Sequence, residues 1–209
     1  MDLSPLFGLR LRTPRLELRF PTDADLEQLR AVALGGIHPP EFMPFSIAWT
    51  DDPELTDFLP YHEMRRQEWS PGSWDLELGV WLEGNAVGIQ AVHGPQFGET
   101  HCVATGSWLG RRFQGQGVGT EMRAAVLELA FRGLGAQAAT SGAIDGNAAS
   151  LRVSEKLGYQ IVGHSSVAPR GEPIGHANLE LRREAWQPPF AIEIEGLEPC
   201  LALFGAQPV

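Results

Sequence analysis

Gln114-Gly115-Gln116-Gly117-Val118-Gly119-Thr120 is the stretch that decides how this chain reads. A strand-like run, Val103 to Leu109, precedes it, and an amphipathic run, Glu121 to Phe131, follows. Val118, Met122, Ala125, Val126, Leu129 and Ala130 recur at helical spacing. The order is therefore strand, glycine-rich loop, helix N-terminus. Glycines accept positive φ and let a ligand approach the backbone. The first N–H groups of a helix lack intrahelical partners, and the helix dipole favours an anion beside them. Such a place suits a phosphate.

Three phosphate loops compete, beside the plainer reading of a turn between strand and helix. A P-loop needs a lysine after its last glycine, and Thr120-Glu121 follows Gly119. A dinucleotide fingerprint needs G-x-G-x-x-G after the first strand of a βαβ unit, whereas the glycines here are 115, 117 and 119. An acyl-coenzyme A loop, [QR]-x-x-G-x-[GA], is matched by Gln114, Gly117 and Gly119. A second segment shifts the balance toward the last. Asn147 to Tyr159 (NAASLRVSEKLGY) follows a strand-like run at Ala138 to Ile144 and reads as a helix. Asn147 or Asp145 would cap its start, and Gly158 would stop it.

Together the two segments resemble the GCN5-related N-acetyltransferase (GNAT) superfamily, and within it the RimJ/RimL-like branch of ribosomal-protein N-terminal acetyltransferases. The opening Thr13-Pro14-Arg15-Leu16-Glu17-Leu18-Arg19 is similar to that branch, and His38 to Phe45 with Trp49-Thr50-Asp51 is similar to its actinobacterial members. The resemblance runs from about residue 10 to 185. It implies an α+β fold. Its centre would be a mixed, mostly antiparallel twisted sheet of about seven strands with about four helices, splayed in the middle to hold acyl-CoA.

The rest of the chain fits that order. Leu16 to Phe20 alternates as a strand, and Thr22 with Asp25 can cap a helix from Asp23 to Leu34. Residues 37–53 read as loop, and Leu55 to Trp69 as a helix interrupted near Pro60. Leu76 to Leu82 and Ala86 to Val92 form a hairpin around Glu83-Gly84-Asn85. Two final strands are expected near 159–165 and 175–182. We expect a domain over 10–185 and a C-terminal extension over 186–209. Pro188-Pro189 marks the boundary, and the apolar Leu201, Leu203 and Phe204 are expected to pack on the body or on a partner subunit.

Composition narrows the classes. The chain has 209 residues and 43% hydrophobic content, enough for one sizeable core. Its two cysteines, Cys102 and Cys200, make no metal-ligand spacing and no disulfide framework. Met1-Asp2-Leu3 opens no basic leader, and no apolar run approaches the roughly 20 residues of a membrane span, so a cytoplasmic location is expected. A net charge of −10 argues against nucleic-acid binding. Neither a metal nor a membrane partner is expected. A homodimer fits the apolar tail.

The resemblance implies acyl transfer from acetyl-CoA, or succinyl-CoA, to a primary amine on a protein N-terminus or small molecule. The pyrophosphate would lie on the N–H groups of residues 115–120: Gly115, Gln116, Gly117, Val118, Gly119 and Thr120. A bulge at Trp108-Leu109 would expose backbone for the pantetheine, and a backbone N–H near Leu109 would meet the developing oxyanion. Asn147 and Ser150 match positions that contact the CoA arm. Many relatives place a tyrosine four residues before the helix-ending glycine, to protonate the departing thiolate. Here that residue is Ser154. The strand at 101–109 holds no acid, so Glu77 is the candidate base, with Asp75, His93, His101 and Asp145 behind it. His38, Glu41, Asp51 and Asp52 are candidate acceptor-side residues, with Phe42, Phe45 and Trp49 as a wall. The missing tyrosine and strand acid also keep open a silent acyl-CoA-binding sensor.

Overall fold

The computed structural model describes residues 1–206. Along the chain run β1 (Arg10–Arg12), β2 (Leu16–Arg19), α1 (Asp23–Leu34), α2 (Phe58–Gln67), β3 (Ser73–Leu82) and β4 (Asn85–Pro95). Then come α3 (Phe97–Thr100), β5 (Cys102–Leu109), α4 (Val118–Glu128), β6 (Ala138–Ile144), α5 (Ala148–Lys156), β7 (Gln160–Val167), β8 (Ile174–Arg182) and β9 (Glu193–Glu195). Among the described residues the nine strands form one sheet in the order β7-β8-β6-β5-β4-β3-β2-β1-β9. Every neighbouring pair is antiparallel except β5 with β6. This is the expected mixed, mostly antiparallel α+β fold. The sheet exceeds the expected count by the three-residue β1 and β9, which pair with each other through Leu11 and Ile194.

Local chemistry sets the element ends. The Asp25 N–H donates to Thr22 Oγ1 at 3.2 Å and the Thr22 N–H donates to the Asp25 carboxylate at 3.0 Å, a reciprocal cap on α1. Pro60 does not interrupt a helix. It occupies the third position of α2, where an N–H has no intrahelical partner to lose. Glu83 and Gly84 turn the β3–β4 hairpin with φ of 51° and 78°.

The bulge expected at Trp108-Leu109 is elsewhere. β5 pairs with β4 in unbroken register through Ile89↔Trp108 and Gly88↔Leu109. The irregularity falls one strand over, where Val80↔Gly88 is followed by Trp81↔Ala86 and Val87 is the extra residue.

Strand alternation gives the sheet two faces. Trp74, Leu76, Leu78 and Val80 of β3 join the core around α4, while Trp81 and Ile89 pack with Leu26 and Leu29 of α1. The α4 helix is not amphipathic in the expected sense: every residue from Glu121 to Phe131 is buried. Its outer side is covered by the segment after β8, where Trp186, Phe190, Ile194 and Leu197 join its core. Trp186 Nε1 donates to Glu128 Oε2 at 2.8 Å. The segment's final 3₁₀ turn, Glu198–Phe204, closes the other end of the same core. Trp69 Nε1 and Trp74 Nε1 donate to the carbonyls of Leu203 and Phe204 at 2.8 and 3.1 Å, and the Phe204 ring meets Trp74 edge-on at 4.9 Å. Residues 207–209 of the expected extension lie outside the described residues.

Phe204 is fully buried. Replacing it with alanine is expected to cost about 3–5 kcal/mol, as for other buried aromatic truncations. Urea unfolding measures this. A loss under about 1 kcal/mol would show that the turn is not part of the core.

Candidate acyl-transfer site

Gly115 and Gly117 have φ of 75° and 83°, which turns the chain sharply into α4. The first intrahelical bonds run from the Thr120 and Glu121 N–H groups to the Gly117 carbonyl, both at 3.1 Å. The Val118 and Gly119 N–H groups precede them and are available to an anion. Long-range contacts hold this loop. Glu121, buried in the first turn, accepts from Thr13 Oγ1 at 2.6 Å, the Arg15 N–H at 2.9 Å and Arg15 Nε at 2.7 Å. Arg15 also donates to the Gln116 carbonyl at 3.1 Å. Gln114 Nε2 donates to the carbonyls of Ile37 and Leu109 at 2.7 and 2.9 Å. Its side chain therefore fastens the loop.

Beside the loop the sheet opens. β5 and β6 pair only from Cys102↔Ala138 to Ala104↔Thr140 and then part. The Gly110 N–H donates to the Val87 carbonyl at 2.9 Å, so Gly88↔Leu109 is a non-hydrogen-bonded pair. The Leu109 N–H consequently faces away from β4, toward the gap. A cleft of about 860 Å³ runs from the loop through this gap. It brings together Trp108, Leu109, Gln114, Gly115, Gly117, Gly119 and Thr120 with Asn147, Ser150 and His38. Asn147 Oδ1 accepts the Ser150 N–H at 3.1 Å, so Asn147 caps α5 while lining the cleft. Val118 turns its side chain into the core, and Gln116 spends its side chain on the Arg112 carbonyl at 2.8 Å.

On the α1–α2 face, Phe45, Trp49, Phe58 and Trp108 form an aromatic cluster with neighbouring centroids 5.3–6.2 Å apart. Beside it is a titratable group. His93 Nδ1 bonds the Asp75 carboxylate, and Arg65 pairs with Asp75 at 3.1 Å. Tyr61 donates to Glu77 at 3.0 Å, and His62 lies 4.0 Å from the same carboxyl. Burial alone would lower His93, but the Asp75 hydrogen bond and the Glu77 and Asp75 charges outweigh it and raise it above 6.5. Burial also raises Glu77 above the usual carboxylate range. It pushes Tyr61, with the Glu77 charge, to about 12. Burial and the Arg66 charge depress His62 to about 4, leaving it neutral near pH 7. His93 itself does not line the cleft; its Nε2 faces Gly106, which does, and a Cβ built on Gly106 would meet it at 3.9 Å.

Ser154 is fully buried, and its Oγ accepts from Arg123 at 3.0 Å. Arg123, Ser107 and His176 line the cleft without having been singled out from the sequence. An arginine inside a helical repeat reads as a solvated position, and nothing local says that α4 is covered on all sides. Other candidates lie apart from the cleft. Asp51 is exposed and held by Arg170, Nε to Oδ2 at 2.8 Å. Glu41 is exposed, Asp52 caps the turn at Glu54 and Thr56, and His101 ends α3. The Asp145 carboxylate packs against Gly175. Both ring nitrogens of His38 are engaged, by the Pro39 carbonyl at 2.9 Å and Thr50 Oγ1 at 2.6 Å. Among the described residues, no cluster of three His, Cys, Asp or Glu converges to hold a metal, and no helix is long and apolar enough to cross a membrane.

Solved structures share this architecture. RimJ of Mycobacterium smegmatis, in complex with CoA-disulfide, superposes with a TM-score of 0.70 at 18% identity, covering 98% of this chain and 99% of that one. The ribosomal-protein-S5-alanine acetyltransferase of Vibrio fischeri gives 0.62 at 15%, covering 86% and 99%. A GNAT-family acetyltransferase of Bacillus anthracis gives 0.63 at 17%, covering 84% and 99%. At these identities the likeness establishes the fold. The sequence model for the acetyltransferase (GNAT) domain matches residues 15–160, well over half the chain. The glycine loop and the opened sheet thus stand in a chain that belongs to the GNAT acetyltransferase family.

Proposed function

We propose that this acetyltransferase moves an acetyl group from acetyl-CoA to a primary amine, by direct attack of the amine on the thioester. The observation that carries the reading is the continuity of one cleft from the N-terminus of α4 to the unpaired edge of β5. A CoA pyrophosphate fits the first end, on the N–H groups of Val118 and Gly119 with the helix dipole behind it. Pantetheine amides fit the second, pairing with exposed strand backbone as an added strand does. The Leu109 N–H then faces the thioester oxygen as it becomes an oxyanion. The acceptor is a protein N-terminal α-amine, a reading supported by the kinship of fold with the RimJ and ribosomal-protein enzymes.

The base is His93, oriented by Asp75 and assisted by the negative field of Glu77. A protonated amine is no nucleophile, so a proton must leave before or during attack. His93 has one nitrogen committed to Asp75 and the other over Gly106. Glu77 is the less accessible alternative, because its carboxyl already takes the Tyr61 hydroxyl.

In thermal unfolding with CoA, acetyl-CoA, succinyl-CoA, NAD and ATP, we expect stabilisation by CoA species alone. At about 100 times the dissociation constant this is roughly 2.7 kcal/mol, a shift of a few degrees. Gly117→Val forces φ of 83° on a branched residue 3.3 Å from Arg15 Nη2 and is expected to remove the shift while the chain stays folded. An unchanged shift would refute this placement of the pyrophosphate. Thiol release in the presence of amine separates an enzyme from a silent sensor.

The pH profile tests the base. The base form of His93 must be populated, and its pKa is raised above 6.5, so kcat/KM should climb with pH through a value above 6.5. His93→Gln should lower kcat by about 10²–10⁴-fold and abolish that limb. A limb retained in His93→Gln and lost in Glu77→Gln would transfer the role to Glu77.

A further inference from the structure

Arg123 lies in the second turn of α4 with 5% of its surface exposed. A guanidinium carries five N–H donors. Two contacts are made, to Ser154 Oγ at 3.0 Å and Ser107 Oγ at 3.4 Å, and the buried Nε has no partner. Among the described residues no carboxylate pairs with it; the one titratable group that bears on it is the Tyr159 phenol, whose own pKa burial raises, so it brings no negative charge near pH 7. Burying a charge costs several kcal/mol unless an opposite charge meets it, so such groups are retained where an anion arrives. Arg123 lines the cleft together with Thr105, Ser107 and Ser141, where β5 and β6 part. The anion that completes this site therefore comes with the ligand.

We propose that Arg123 holds the negative charge of the CoA thiolate as it leaves. The proposal rests on the acyl-CoA reading given above. Arg123 is more than a turn beyond the Val118 and Gly119 N–H groups that await the phosphates, and it touches Ser107, two residues from Leu109. That is the reacting end of the cleft. Ser154 occupies the position where a tyrosine was expected to protonate the thiolate, and its short side chain leaves room for the guanidinium to lean over it. His93 is on the opposite face of the sheet, beside the α1–α2 elements, whereas Arg123 projects from α4. Attack and departure are thus served from opposite sides. The amine nitrogen bonds the carbonyl carbon and its proton passes to His93. The carbon–sulfur bond breaks and its electron pair goes to sulfur. The thiolate remains an anion against Arg123, which keeps its own protons, and takes a proton from solvent on release, while His93 returns the amine's proton to solvent.

The test uses the full chain and CoA itself. Thiolate absorbance of bound CoA, followed against pH, gives the pKa of its thiol in the complex. Wild type is expected to lower that pKa relative to free CoA. Arg123→Gln, which keeps a polar side chain but removes the charge, should abolish the lowering, leave the dissociation constant of acetyl-CoA within about threefold, and cut kcat by about 10²–10³-fold. Arg123→Lys should restore part of both effects. The proposal is overturned if the thiol pKa is the same in wild type and Arg123→Gln. It is also overturned if the loss is confined to succinyl-CoA turnover, which would make Arg123 a seat for an acyl carboxylate. If Arg123→Gln does not fold, wild type decides: a bound-thiol pKa no lower than that of free CoA overturns the proposal. Failure of wild type to bind CoA at all would remove the acyl-CoA reading first, and is seen in the binding isotherm before any titration.

Discussion

The parting of β5 from β6 is the constraint on which everything else in this molecule depends. A sheet interior normally satisfies its backbone groups across both neighbours. Here β5 pairs with β4 from Ala104 to Leu109 but with β6 only from Cys102 to Ala104. The polar edge that results is tolerable because it opens on a cleft. Keeping the strands apart requires fixed supports on either side. On one side α4 is wedged between sheet and C-terminal segment, and on the other α5 starts at the Asn147 cap. The first of the two sequence signatures is the loop that leads into α4, and the second is α5 itself with its Asn147 cap.

The clasp of Thr13 and Arg15 on Glu121 explains why the opening segment belongs to the functional unit. Arg15 is 101 residues from Gln116 and 106 from Glu121, yet it binds both the first turn of α4 and the Gln116 carbonyl. A buried carboxylate at a helix N-terminus also complements the dipole. It does so without occupying the N–H groups that precede the first intrahelical bond.

Much of the fold was legible because its signals are local. Thr22 and Asp25 form the cap that their spacing implies, Glu83-Gly84 makes the hairpin, and the glycines at 115, 117 and 119 stand between strand and helix. The glycine loop at the start of α4, which we assign to the phosphates, was legible for the same reason. The reacting end was not. Nothing local makes Arg123 a buried cation or sets His93 Nε2 against Gly106, since both follow from pairings between distant strands and helices. Gln114 matched a ligand-binding motif, yet its amide is spent on the Ile37 and Leu109 carbonyls, a contact across the fold that no spacing displays. Pro60 misled in the opposite direction, because a proline breaks a helix interior but suits its first turn.

The pairing of β1 with β9 has a consequence for how the molecule forms. Arg12 and Glu195 are 183 residues apart, and the strands that carry them must meet for the sheet to close at that edge. Contacts of such separation pay loop-closure entropy before they return any stability, which slows folding. The same closure puts Trp186 and Leu197 over α4. During synthesis the cleft can be outlined while its supporting helix still shows an apolar flank. In that interval chaperones, or a ligand already seated in the cleft, would act on the chain most strongly.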